Sequence, residues 1–134
     1  LKVAAGNAEK HQLNIHFREL NILNQQTWSA IPTQDIIVSN PPYITIDERE
    51  MLPKNVSDFE PGLALFVGND NPLLFYDKIS KMAQQKLNKD GKLYFEIHEQ
   101  HGEGAVKLLG KSGFKNIKLH RDLSGKNRML SAGF

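Results

Sequence analysis

Cysteine is absent from the 134-residue chain, which excludes a disulfide framework and thiolate chemistry and fits a reducing, cytoplasmic setting. No apolar run approaches the roughly 20 residues that a membrane-spanning helix needs, and no signal peptide is visible. Charge of one sign is scarce too: 17 Lys and Arg against 15 Asp and Glu leave a net +2. Lys115, Lys118, Arg121, Lys126 and Arg128 gather near the C-terminus, a pattern that reads as a solvated face before it reads as a nucleic-acid stripe. Internal repeats and low-complexity tracts are missing. What remains, 40% hydrophobic residues in a length that can bury a real core, describes one domain over residues 1–134.

Helix and strand patterns alternate along it. Leu1, Ala4, Ala5 and Ala8 keep a helical spacing, so Leu1 to His11 is expected to be a helix already under way at the first residue. Ile15 to Glu19 predicts a short strand, and Asp35 to Ser39 a nearly all-apolar strand buried on both faces of a parallel sheet. Between them, Asn24 to Thr33 forms a polar connector around Trp28. Ile44 to Asn71 holds turn formers and charges without a sustained period, which predicts a long substrate-facing loop. Asn71 as N-cap and Pro72 at the first helical position open a helix whose core stripe is Phe75, Ile79, Met82, Ala83 and Leu87, stopped by Asp90-Gly91. A strand at Lys92 to Ile97, a helix at Gly104 to Lys111 closed by Gly113, and strands at Asn116 to His120 and Arg128 to Ala132 complete the chain. Such alternation predicts an α/β fold with a doubly wound sheet and ligands beyond the carboxyl ends of its strands.

The chemistry-bearing motif lies at one of those ends. Asn40-Pro41-Pro42-Tyr43 directly follows the strand Asp35-Ile36-Ile37-Val38-Ser39. A proline-stiffened turn alone would account for the two prolines, but the full string arises by chance about once in a few thousand chains of this length. An amide or exocyclic amine nitrogen is a poor nucleophile because its lone pair is delocalised, so catalysis at it rests on orientation. An Asn40 side-chain oxygen and the Pro41 carbonyl form a pair of acceptors for the two N–H bonds of a planar NH2 group. Pro42 offers no N–H to compete for that carbonyl, and the residue before each proline is held extended. Tyr43 then lies against the flat face of the target.

Other clusters carry less. His98 and His101 stand three apart with Glu99 between them, without a third ligand or the spacing of zinc hydrolases, so no metal site is expected. Asp47, Glu48 and Glu50 form an acidic stretch, either solvated or facing a basic partner. Glu96 follows the strand at Lys92 to Phe95 and is a candidate site-facing carboxylate.

Four blocks together carry a family resemblance: Asp35 to Ile44, Asp58-Phe59-Glu60-Pro61-Gly62-Leu63-Ala64-Leu65-Phe66, Gly91 to Ile97, and Asp122-Leu123-Ser124-Gly125-Lys126-Asn127-Arg128. Over essentially its whole length the chain resembles the C-terminal part of the catalytic domain of release-factor glutamine methyltransferases (HemK/PrmC type). The first block alone is shared with adenine-amino methyltransferases of DNA and RNA; Phe59-Glu60-Pro61 downstream points to the glutamine branch. The resemblance implies an S-adenosylmethionine-dependent protein-(glutamine-N5) methyltransferase, cytoplasmic, whose partner is a peptide-chain release factor. It implies a Rossmann-like class I methyltransferase sheet, truncated at its N-terminal end, with an antiparallel C-terminal strand.

Site residues follow from the same resemblance. Asn40, Pro41, Pro42 and Tyr43 are the catalytic set, with Asn40, Pro41 and Tyr43 holding the glutamine amide. Phe59 and Glu60 either touch substrate or order the long loop. Asn21, Ile22 and Asn40 fall where the family holds the cofactor, Asn21 replacing an Asp with loss of charge, and Asn71 stands where the family often has Gly. The family's glycine-rich cofactor loop and its ribose-holding acid belong to a strand-helix-strand unit upstream of Leu1. Its strands would lie between Ile15–Glu19 and the motif strand, so the 134-residue piece alone is expected to bind cofactor weakly or not at all, be inactive, and have its N-terminal segment displaced or paired with another copy. Two alternatives stand beside this reading. One is an adenine-N6 methyltransferase of nucleic acid, with the flipped base stacked on Tyr43; the other is a non-catalytic remnant that binds a partner.

Overall fold

Residues along β4 (Leu87–Glu96) alternate: Leu93, Phe95 and the following Ile97 are buried, while Lys92 and Tyr94 are exposed. That period of two lays one face of a sheet on the core and leaves the other toward solvent. The computed structural model describes all residues 1–134. It is a mixed α/β fold whose main sheet has the order β1-β4-β6-β5, with β1 at Gln34–Ser39, β5 at Lys115–Arg121 and β6 at Asn127–Gly133. β1 and β4 run parallel; β6 is antiparallel to both β4 and β5.

The inner face is covered by α4 (Leu74–Lys86) and α5 (Gly102–Lys111). α4 buries Tyr76, Ile79, Ser80, Met82 and Ala83, and these pack with Leu93, Phe95, Ala105, Leu109 and Leu130 in one core cluster. A side chain of this kind contributes about 1.5–3 kcal/mol when fully buried. α5 ends as its glycine predicts: Gly113 has φ +80, its N–H donates to the Gly110 carbonyl at 3.1 Å, and Phe114 N–H donates to the Leu109 carbonyl at 3.1 Å, the two bonds of a Schellman cap. Gly125, at φ +78, closes the turn from β5 into β6, where the Asp122 carboxylate accepts the Ser124 and Lys126 N–H groups at 2.9 and 3.0 Å.

Several expectations need correction. Residues 15–19 form no strand, because a strand exists only with a neighbour to share its ladder and none lies alongside. The first helix is α1 (Lys2–Lys10). The segment behind it is anchored instead by the Arg18 guanidinium, which donates to the Ala30 carbonyl. β1 is not buried on both faces: Ile36 and Val38 are 59% and 73% exposed, and of its apolar side chains only Ile37 packs against the core cluster. Asn71 and Pro72 precede the helix by a turn, Leu73 being the N-cap. α4 also stops before Leu87, which stays buried but as the first residue of β4. Asp90-Gly91 sits in an irregularity of that strand, where Gln34 pairs with Leu87 but Ile36 already pairs with Lys92.

Trp28 is buried inside a 3-10 segment, Gln25–Ala30, and its indole N–H donates to the Ile22 carbonyl at 2.9 Å. The long stretch after the motif is structured as well. β2 (Ile44–Thr45) pairs in parallel with β3 (Phe66–Val67), enclosing a 3-10 turn at Ile46–Met51, α2 (Lys54–Ser57) and α3 (Gly62–Leu65). No helix is long and apolar enough to cross a membrane.

Candidate functional site

Asn40 begins where β1 ends, and β1 with β4 is the parallel pair of the sheet. The motif therefore leaves the carboxyl end of a parallel strand, the position where open α/β sheets bind ligands. The two prolines forbid further ladder bonds and turn the chain off the sheet. Asn40 is exposed, Pro41 buried, Pro42 and Tyr43 half-buried.

Pro41 is a wall common to two clefts. The smaller, about 70 Å3, is bounded by Asn40, Tyr43 and Ile44 on one side and by Ala64 and Leu65 of α3 on the other. The larger, about 600 Å3, runs between Leu20–Leu23, the end of β1, Leu63 of α3 and Phe75, Ile79 and Met82 of α4. Asn21 and Ile22 thus line the same space as Pro41 and Pro42. The Asn21 side-chain oxygen accepts the Leu23 N–H at 3.0 Å, which fixes the local turn and leaves a second lone pair open. Phe59, 83% exposed, and Glu60, also exposed, line neither cleft. Their block reaches the site through its continuation, since Leu63, Ala64 and Leu65 form cleft walls.

A polar cluster lies beside the motif. The Tyr43 hydroxyl donates to Glu96 Oε1 at 2.8 Å, and the Tyr76 hydroxyl donates to the Glu96 main-chain carbonyl at 3.2 Å. Burial, followed by the hydrogen bond to Glu96 and its charge, raises the Tyr43 phenol above its ordinary value of 10.0; burial pushes Tyr76 still higher. The Tyr43 ring meets His98 edge-on at 5.9 Å between centroids. His98 Nε2 stands 3.2 Å from Glu48 Oε1, and Glu48 Oε2 accepts both the hydroxyl and the N–H of Thr45 at 2.7 and 2.8 Å.

Glu48 is therefore engaged within the chain, unlike the solvated acid that its stretch suggested. His98 makes that contact, and its ring lies 5.1 Å from that of His101. Arg128, grouped by sequence with a solvated basic face, is half-buried and its Nε is 3.3 Å from Asp122 Oδ2. The guanidinium also acts electrostatically on Tyr43 and Glu96. Sequence patterns did mark Glu96, as the residue leaving an alternating strand, but gave no partner for it.

No family model matches the chain. It is 45% identical over all 134 residues to a release factor glutamine methyltransferase of Flavobacterium psychrophilum, covering 46% of that protein. It is 36% identical over 132 residues to one of Bacteroides thetaiotaomicron, with 98% of this chain and 47% of that protein covered. A third, of Lactococcus lactis, is 41% identical over 133 residues, again with 98% and 47% covered. The chain spans about half the length of the curated relatives it matches, corresponding to their C-terminal part.

Proposed function

The chain belongs to the release factor glutamine methyltransferase family, and from that premise we propose that it carries the substrate-holding part of an S-adenosylmethionine-dependent methyltransferase domain, acting on the side-chain amide of a release-factor glutamine. The observation that carries this reading is the position of Asn40-Pro41 at the carboxyl end of a parallel strand, opening on a cleft that the Tyr43 ring also lines. On this reading the four-stranded sheet is the C-terminal portion of a Rossmann-like class I sheet. The partner is a peptide-chain release factor, which sets the reaction in the cytoplasm.

The glutamine amide nitrogen enters beside Asn40. The Asn40 side-chain oxygen accepts one N–H and the Pro41 carbonyl the other, while the Tyr43 ring covers the amide plane. Both protons are then held and the lone-pair lobe is directed along one line, which supplies orientation in place of basicity. The apolar walls of the adjoining cleft lower the dielectric on that side of the amide, which strengthens these hydrogen bonds.

The larger cleft fits a flat, apolar-faced base: its walls are mostly hydrophobic, and Asn21 keeps an open acceptor at the rim. Asn21, Ile22 and Asn40 are the residues that would hold S-adenosylmethionine, which when bound supplies a methyl carbon activated by a sulfonium. With the methyl carbon so supplied, the roles left to this chain would be to orient the amide nitrogen through Asn40 and Pro41 and to let the product amide shed its proton. Neither cleft is lined by a lysine or arginine, so the reading of adenine in nucleic acid lacks the basic groove it would use.

The test is transfer of a labelled methyl group by the natural polypeptide that carries this chain, with a release factor and duplex DNA as competing acceptors. Label on a release-factor glutamine, abolished in Asn40→Ala, is the expected result; label on DNA, or on neither, refutes the proposal.

A further inference from the structure

Sequence blocks around Asn40 and around Asp122–Arg128 are far apart in the chain, yet one carboxylate lies between them. Glu96 accepts the Tyr43 hydroxyl at 2.8 Å. Its own main chain is fixed from both sides: the Tyr76 hydroxyl donates to its carbonyl at 3.2 Å, and the next residue, Ile97, donates its N–H to the Arg128 carbonyl at 2.9 Å. Arg128 is held by Asp122, whose carboxylate also ties down the Ser124 and Lys126 N–H groups. A tyrosine ring turns easily about χ1 and χ2 when its tip is free; a charge-assisted bond to a fixed carboxylate removes that freedom.

Resting on the reading above, we propose that Glu96 is a positioning residue for methyl transfer, acting by pinning the Tyr43 ring against the amide plane beside Asn40 and Pro41, with the Asp122–Arg128 turn as its support. Glu96 touches neither the target nitrogen nor the methyl donor. Its Oε1 accepts the phenol, and in this role the carboxylate acts as a clamp. Because the reaction depends on orientation, a displaced ring costs about ten- to a hundredfold in turnover.

Four variants of the natural polypeptide test this: Glu96→Ala, Glu96→Gln, Tyr43→Phe and the Tyr43→Phe/Glu96→Ala double. With a release factor as acceptor, Glu96→Ala is expected to lower kcat by about ten- to a hundredfold, with KM for the release factor within about twofold. Glu96→Gln keeps an acceptor for the hydroxyl and is expected to stay within about threefold of wild type. Tyr43→Phe is expected to match Glu96→Ala, and the double variant to be no worse than either single, as for two members of one contact. Full turnover in Glu96→Ala, or losses that multiply in the double variant, overturns the proposal; so does equal loss in Glu96→Gln and Glu96→Ala. An absorbance titration of the tyrosines reads the link without activity, Tyr43 moving down toward 10.0 when Glu96 is replaced. A wild type that methylates no release factor refutes the proposed activity instead, and the titration still decides whether Glu96 holds Tyr43.

Discussion

His98 Nε2 lies 3.2 Å from Glu48 Oε1, which ties the end of β4 to the unit between β2 and β3. Partial burial opposes charge on Glu48, but the two donors of Thr45 and the neighbouring imidazoles outweigh it and hold the carboxyl below its usual 4.5. The folded value is depressed, so the contribution is complete above the unfolded value and is lost as pH falls through the folded one. Below about pH 4.5, the protection of the Thr45 N–H relative to intrinsic exchange is expected to fall ahead of protection in β4. Uniform loss of protection in both would refute this account.

His101 works in the same direction on acid tolerance, at higher pH. Burial, then the neighbouring His98, lowers its pKa below the usual 6.5. Between that value and the lower folded one, the unfolded chain takes up the proton first, so stability declines as pH drops through the window. His101→Gln removes the titration. The difference in Tm between pH 7.5 and 5.5 should be smaller in the variant than in wild type.

Gly91→Ala is expected to destabilise by about 2 kcal/mol, or roughly 5–10 °C in Tm. A Cβ there would stand 2.9 Å from the main-chain oxygens of both Asp35 and Asn88 and 2.7 Å from Leu87 Cγ. Backbone atoms on two sides leave no room to yield. An unchanged thermal melt would show that the irregularity of β4 relaxes freely.

Asn40→Ala separates function from folding. Asn40 is exposed, so its truncation should move stability by no more than about 0.5 kcal/mol. Removal of one preorganised acceptor is expected to lower methyl transfer by about a hundred- to a thousandfold. Comparable activity in Asn40→Ala and wild type would place the acceptor elsewhere.

Local signals carried much of the fold. The helix end at Gly113 and the strand holding Leu93, Phe95 and Ile97 depend on residues a few positions apart, and both stand as the sequence predicts. The failures are nonlocal. Ile15 to Glu19 has the right residues for a strand but no neighbour, and nothing within five residues reports that. Leu87 satisfies a helical stripe and a strand equally, and its pairing with Gln34 decides the matter. The unit from β2 to β3 is built of elements of two to six residues, too short for periodicity to register. In the site, the motif at Asn40 is legible from its place after an apolar strand, while Asn21 and Ile22, which line one cleft with Pro41 and Pro42, are marked only by the family resemblance. The bond from Tyr43 to Glu96 spans 53 residues and has no pattern in sequence.

The two margins of the main sheet are unequally defended. β5 shows solvent Lys115, Lys118 and Arg121, and a strand approaching that side meets like charge and bulky hydrated heads. β1 shows Ile36 and Val38 instead, apolar side chains on one face of the strand. Strand addition at the β5 margin is therefore opposed by its charges, and because that opposition is electrostatic it weakens as salt rises.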